Sequence, residues 1–179
     1  MEFKPWPKIP RVENRKEYYT EKIDGTNACI IISFEPADEN TIATNLTEVG
    51  PISMWAQSRS QFITPNKDNF GFARWAANNA TELFKLGEGY HFGEWWGLGI
   101  QRGYNQTEKK FSLFNTHRDP TSLPTCVSQV PSIHANSVEE AKEILITGGS
   151  LAAPGFMNVE GVVIFEYNTK TYWKAIIYK

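Results

Sequence analysis

The chain is short of the residues that mark several common protein classes. It has only two cysteines, Cys29 and Cys126, and neither stands in a C-x-x-C or Cys/His metal spacing. Both are therefore expected to be reduced, buried thiols. Among its three histidines, His117 has no Ser, Cys or metal-ligand company in the sequence and is given no catalytic role. No apolar run approaches the roughly 20 residues of a membrane helix. The stretch from Met1 to Arg11 is broken by Pro5, Pro7 and Pro10 and lacks the apolar core of a signal peptide. A cytoplasmic location, with no membrane, is expected. Charge of one sign is also scarce. A net charge of −2 argues against a general nucleic-acid coat, which would be basic throughout. Lys4, Lys8, Arg11, Arg15 and Lys16 nevertheless crowd the first 16 residues against only Glu2 and Glu13. That arm reads equally as a phosphate-binding face or as a solvated extension.

What is present is enough for a folded domain. The 179 residues, 41% hydrophobic and 13% aromatic, suit one domain with a real core and are too few for two large ones. The expected organisation is a single domain over 1–179. Asn27 to Glu35 is short, apolar and β-branched and predicts a buried strand. Pro36 to Pro51 is polar and turn-rich and predicts a loop or hairpin tip. Phe72, Trp75, Ala76, Leu83 and Phe84 form a helical stripe within Asp68–Leu86, stopped by Gly87. Tyr90–Trp96 and Lys110–Asn115 predict strands separated by a Gly-rich polar stretch. Ser137 and Glu140 form a capping box for a helix that ends at Gly148-Gly149. Val159–Tyr167 and Thr171–Tyr178 predict two last strands joined by a turn at Asn168-Thr-Lys170. Strands dominate without regular strand–helix alternation, so the fold class is α+β with mainly antiparallel sheet.

Five short constellations can carry chemistry. Lys22-Ile-Asp-Gly-Thr-Asn27 sets a lysine beside a strand, followed by Asp24 and Gly25. A neutral lysine amine can attack an α-phosphate and hold a nucleotide as a phosphoramidate, once burial or cationic neighbours favour loss of its proton. Gly25 would let backbone approach a ligand closely. Alone, this motif is weak and reads more readily as an ordinary turn with a surface lysine. In Tyr90-His-Phe-Gly-Glu-Trp-Trp-Gly97, Glu94 lies among aromatics and glycines, where a carboxylate needs partners. It could accept ribose hydroxyl hydrogens or orient a lysine, or simply end a strand half exposed. Phe114 closes an alternating strand and could stack on a purine or pack in the core. Glu160 opens an apolar strand and could bind hydrated Mg²⁺. Lys174 interrupts a buried-looking strand and could pair with phosphate.

In this order and spacing the five resemble the signature motifs of the covalent nucleotidyltransferases: ATP-dependent DNA ligases, RNA ligases and mRNA capping enzymes. Lys22-Ile-Asp-Gly resembles motif I, Ser58-Arg59 motif Ia, and Phe92-Gly-Glu94 motif III. The strand through Phe114 resembles motif IIIa, and Glu160-Gly-Val-Val motif IV. The resemblance runs from about Glu21 to Lys174. Glu21 before the lysine, and Gly25-Thr-Asn27 after it, are closest to the nick-sealing type of RNA ligase. The resemblance implies a nucleotidyltransferase domain whose antiparallel sheets, flanked by helices, enclose an ATP cleft. It implies ATP and Mg²⁺ (or Mn²⁺) as cofactors, and RNA or DNA ends bearing 5′-phosphate and 3′-hydroxyl as partners. It further implies Lys22 as nucleophile, with Lys174 contacting the α-phosphate. Glu21, Asp24, Gly25, Asn27, Arg59, Glu94 and Phe114 would line the nucleotide site, and Glu160 would place the metal.

Two departures matter. The family usually shows two lysines separated by one residue in motif V, whereas Lys174 has Tyr172 and Ile176 at that spacing. Family ligases also carry an OB or helical domain beyond motif V, which is not expected in this chain; a partner protein could supply it. A minimal DNA ligase, and a ligase-like module that holds nucleotide or RNA ends without turnover, are the rival expectations.

Overall fold

A computed structural model describes residues 16–178. The arm from Lys4 to Arg15 lies outside the described residues; of that basic cluster only Lys16 is seen, and it is exposed.

Two sheets make the fold. The larger has seven strands. Its backbone order is β3 (Thr41–Thr47), β4 (Gly50–Gln57), β2 (Thr26–Ser33), β6 (Gly89–Gly97), β7 (Lys109–Leu113) and β8 (Val127–Gln129), with β5 (Phe62–Ile63) paired to β4. The smaller sheet runs β11 (Thr171–Ile176), β10 (Gly161–Glu166), β1 (Glu17–Lys22), β9 (Ser132–Ile133). Every pairing is antiparallel except β7 with β8. The expected α+β class with mainly antiparallel sheet is therefore what forms.

β2 shows why an unbroken apolar run was informative. Residues Ala28 to Ile32 are all buried, because this central strand is covered on both faces. One face carries Ala28, Ile30 and Ile32 into the main core, under the helices α1 (Phe72–Asn78) and α2 (Ala80–Leu83). The other places Cys29 and Ile31 against Trp55. The single helix expected over Asp68–Leu86 is in fact broken at Asn79, whose side chain donates to the Trp75 carbonyl. A 3₁₀ turn over Phe84–Leu86 then ends at Gly87, with φ 80°.

The segment read as a loop or hairpin tip from Pro36 to Pro51 contains the edge strand β3, which pairs with β4 as a hairpin. Its residues are largely exposed, so it carries none of the apolar pattern by which β2 was legible. The smaller sheet is backed by α3 (Val138–Gly148), which sends Ala141 and Leu145 against Tyr19, Val162 and Ile164. Ser137 caps this helix at the Glu140 amide, while the Glu140 carboxylate reaches back to the Asn136 amide, one residue beyond the box expected. Both cysteines are free, but only Cys29 is buried; Cys126 is half-buried, correcting the expectation for it.

Candidate active site

The two sheets meet where β1 turns into β2, through Ile23, Asp24 and Gly25. Lys22 is the last residue of β1 and faces Gly161 of β10; Thr20 faces Val163, and Tyr18 faces Phe165. Lys174 on β11 continues the Val163 row. Since alternate residues share a face, Lys22 and Lys174 lie on one side of the smaller sheet, opposite α3. The larger sheet brings Asn27 and Glu94 side by side in register. Between them is a cleft of about 1170 Å³, lined among others by Glu21, Lys22, Asp24, Gly25, Asn27, Arg59, Glu94, Phe114 and Lys174. Site residues of five sequence motifs, the outermost 153 positions apart (21 and 174), thus converge on one cavity.

Lys22 Nζ lies 2.6 Å from Glu160 Oε1, with the two side chains 24% and 16% exposed. Glu160 is not itself a wall of the cleft; it reaches Lys22 from the residue before β10. Its second oxygen is buried and has no hydrogen-bond partner among the described residues. A carboxylate with one paired and one free oxygen fits the binding of a hydrated divalent cation. Among the described residues, however, no group of three or more His, Cys, Asp or Glu side chains could encase a metal. A cation here would have to keep most of its ligands as water or phosphate oxygen, which suits Mg²⁺ or Mn²⁺.

Glu94 is buried, and its Oε1 accepts from the Gly25 amide at 3.0 Å. Burial pushes its carboxyl up to about 7, against the opposing pull of Lys22 and the Gly25 amide. Gly25 is required by the fold itself, beyond the approach to a ligand that was expected. A Cβ there would stand 2.4 Å from the Trp95 carbonyl, so the backbone at Gly25 lies close against β6. Arg59 is exposed and donates to Asn27 Oδ1 at 3.2 Å, which holds it over the cleft. Phe114, the residue after β7, is 37% exposed and lines the cleft.

Glu21 is a different case. It borders the cleft, but its carboxylate is buried and Oε2 accepts from the Leu151 and Ala152 amides, at 2.8 and 2.9 Å. Burial raises its pKa. Two residues were not anticipated. The Tyr104 hydroxyl accepts from the Asp24 amide at 2.8 Å, and Arg102 Nε lies 3.3 Å from Asp24 Oδ2. Their only signal in the sequence was the density of glycine after Trp96, which was read simply as a connection.

The family model for RNA ligases matches residues 16–174. No curated protein matches the chain by sequence. Among solved structures, the fold is similar to that of Naegleria gruberi RNA ligase. A lysine-to-alanine variant with ATP and Mn aligns with TM-score 0.56 and 21% identity, over 92% of this chain and 51% of that one. A lysine-to-methionine variant with AMP and Mn aligns with TM-score 0.54 and 21% identity, over 92% and 50%. An unliganded variant aligns with TM-score 0.55 and 22% identity, over 92% and 50%. The chain thus spans about half the length of those proteins. With the family model covering nearly the whole chain and the fold in agreement, the chain belongs to the RNA ligase family.

Proposed function

We propose that this chain performs ATP-dependent adenylyl transfer for joining RNA ends, with Lys22 as the covalent nucleophile. The observation that carries this reading is the convergence of Lys22, Arg59, Glu94, Phe114 and Lys174 on one cleft, with Glu160 in contact with Lys22.

In the first step the Lys22 amine attacks the α-phosphorus of ATP. An N–P bond forms as the bond from that phosphorus to the bridging oxygen breaks, and pyrophosphate leaves with the electron pair. The Lys22 ammonium first gives one proton to the Glu160 carboxylate, already 2.6 Å away, and the nitrogen loses a second to solvent as the N–P bond forms. Lys174, on the same sheet face, offsets charge developing on the α-phosphate. Arg59 binds phosphate or nucleotide, Glu94 and Asn27 receive the ribose hydroxyls, and Phe114 stacks on adenine. Asp24 and Gly25 shape the turn that presents the lysine. Glu160 is the residue that would hold a divalent cation, whose charge would neutralise phosphate. The chemistry of the solved relatives, which hold ATP or AMP with Mn, supports this choice of cofactors. Next, AMP passes to a 5′-phosphate end, and a 3′-hydroxyl then displaces AMP to form the new phosphodiester. A partner protein that contributes nucleic-acid-binding surface would complete these two later steps.

The test is a single-turnover comparison of the three steps. Labelled ATP should label the chain and not Lys22→Ala. Nicks with ribose at the 3′ end should be sealed faster than nicks with deoxyribose. Faster sealing of the deoxyribose nick would make the enzyme a DNA ligase.

A further inference from the structure

The turn that follows Lys22 is gripped from behind by a segment whose backbone is held in an uncommon conformation. Between Gly97 and Asn105, six of nine residues have positive φ: Gly97 at 102°, Gly99 at 72°, Gln101 at 46°, Gly103 at 67°, Tyr104 at 51° and Asn105 at 54°. Glycine adopts such angles freely, but Gln, Tyr and Asn do so at a cost. Non-glycine residues in this region persist only where their surroundings over-determine them, and they gather at functional sites.

The surroundings here are specific. Ile100 is fully buried in the main core and anchors the segment. Tyr104 is fully buried, with its ring centroid 5.3 Å from Trp96 and 4.5 Å from Phe156. These rings form a small third core that also contains Ile23, the residue between Lys22 and Asp24. The left-handed turn at Tyr104 aims its hydroxyl at the Asp24 amide, 2.8 Å away. Arg102 supplies Nε to Asp24 Oδ2 at 3.3 Å. Each residue after the lysine therefore has its own hold. Ile23 is held by the third core, Asp24 by Tyr104 and Arg102, and Gly25 by Glu94. Asp24 borders the cleft, whereas Arg102 and Tyr104 are not among its walls.

We propose that Arg102 and Tyr104 are positioning residues, which act on Lys22 by fixing the direction of Asp24 and of the turn that carries it. The strained segment is the device that delivers them: relaxing it would move the tyrosine hydroxyl and the guanidinium off Asp24 together. This rests on the reading of Lys22 as the nucleophile. An interaction that fixes geometry should alter the rate of the chemical step and leave ground-state binding of ATP unchanged.

The experiment uses the full chain with Tyr104→Phe, Arg102→Met, Arg102→Lys and Asp24→Asn, alone and with Asp24→Asn combined with Arg102→Met. Tyr104→Phe keeps the buried ring, so folding is preserved and is checked by melting. At saturating ATP and Mg²⁺, Tyr104→Phe and Arg102→Met should each slow adenylylation of Lys22 at least fivefold, with ATP affinity within twofold of the parent. Arg102→Lys should recover part of the loss. In the Asp24→Asn background, Arg102→Met should have a smaller further effect, because the ion pair through which Arg102 acts on the turn is already lost. Independently of turnover, Tyr104→Phe should speed hydrogen exchange at the Asp24 amide. Unchanged adenylylation rates, an equal loss from Arg102→Met with Asp24 already replaced, or unchanged exchange at Asp24 would overturn the proposal. A parent chain that never gains an adenylyl group would overturn the ligase reading and the catalytic role proposed here. The exchange measurement would still report whether Tyr104 holds the turn.

Discussion

Glu94 offers a prediction whose size follows from its burial. Its carboxyl is shifted from an ordinary value of 4.5 up to about 7, chiefly because burial disfavours the charged form. Between these values the unfolded chain has released the proton and the folded chain keeps it. A raised carboxyl pKa therefore contributes stability that is fully present below about 4.5 and is lost as pH rises through about 7. The shift sets a ceiling of about 3 kcal/mol on that loss. Glu94→Gln keeps the shape and can keep the bond from the Gly25 amide, but it has no proton to lose. The variant should pull ahead of the parent as pH rises, from about 1 kcal/mol more stable near pH 5 to as much as about 3 kcal/mol near pH 8. In a chain of this size that corresponds to roughly 6–12 °C in melting temperature. Glu21 is also shifted upward by burial and adds a pH slope of the same sign to both proteins, so the difference between them isolates Glu94. Thermal melts without nucleotide, at whole pH units from 5 to 8, are the assay. A difference that does not change with pH would refute the reasoning. The same substitution should impair use of ATP, the exchange of stability for function expected at a working site.

Three further outcomes are expected. Phe114→Ala should weaken ATP binding by about 1–3 kcal/mol with little loss of melting temperature, since the ring is partly exposed; intact ATP affinity with a large fall in melting temperature would instead make Phe114 a core residue. Gly25→Ala should destabilise the fold by about 1–3 kcal/mol or more, measured by urea unfolding, because its Cβ would meet the Trp95 carbonyl, which is sheet backbone that cannot yield. Glu160→Ala should slow adenylylation and raise the Mg²⁺ concentration required, measured by titrating the metal in a single-turnover assay.

Much of this molecule was legible because its pattern is chemical. The central strand β2 announces itself by an unbroken apolar run, and Ser137 with Glu140 marks the start of α3. The candidate site residues were read as a set of short motifs, and each sits on or beside a strand; strand register brings all but Glu160 to the walls of one cleft. What escaped has physical reasons. β3 is an exposed edge strand, so it buries too little to show periodicity. The break at Asn79 is a change of backbone angle at one residue, φ −106°, with its amide still bonded to the Trp75 carbonyl, and a stripe of apolar residues does not reveal it. The contacts of Arg102 and Tyr104 with Asp24 span about 80 residues and depend on left-handed backbone at positions that are not glycine. The need for Gly25 was legible, but not its cause, because only the folded chain places the Trp95 carbonyl against it.

The central claim is that Lys22 carries the adenylyl group, and the most direct test is the intact mass of the full chain after incubation with ATP and Mg²⁺. The predicted result is a gain equal to one adenylyl group, located to Lys22 by peptide mapping, absent in Lys22→Ala and reversed by added pyrophosphate. An unchanged mass, or a gain that persists in Lys22→Ala, would contradict it.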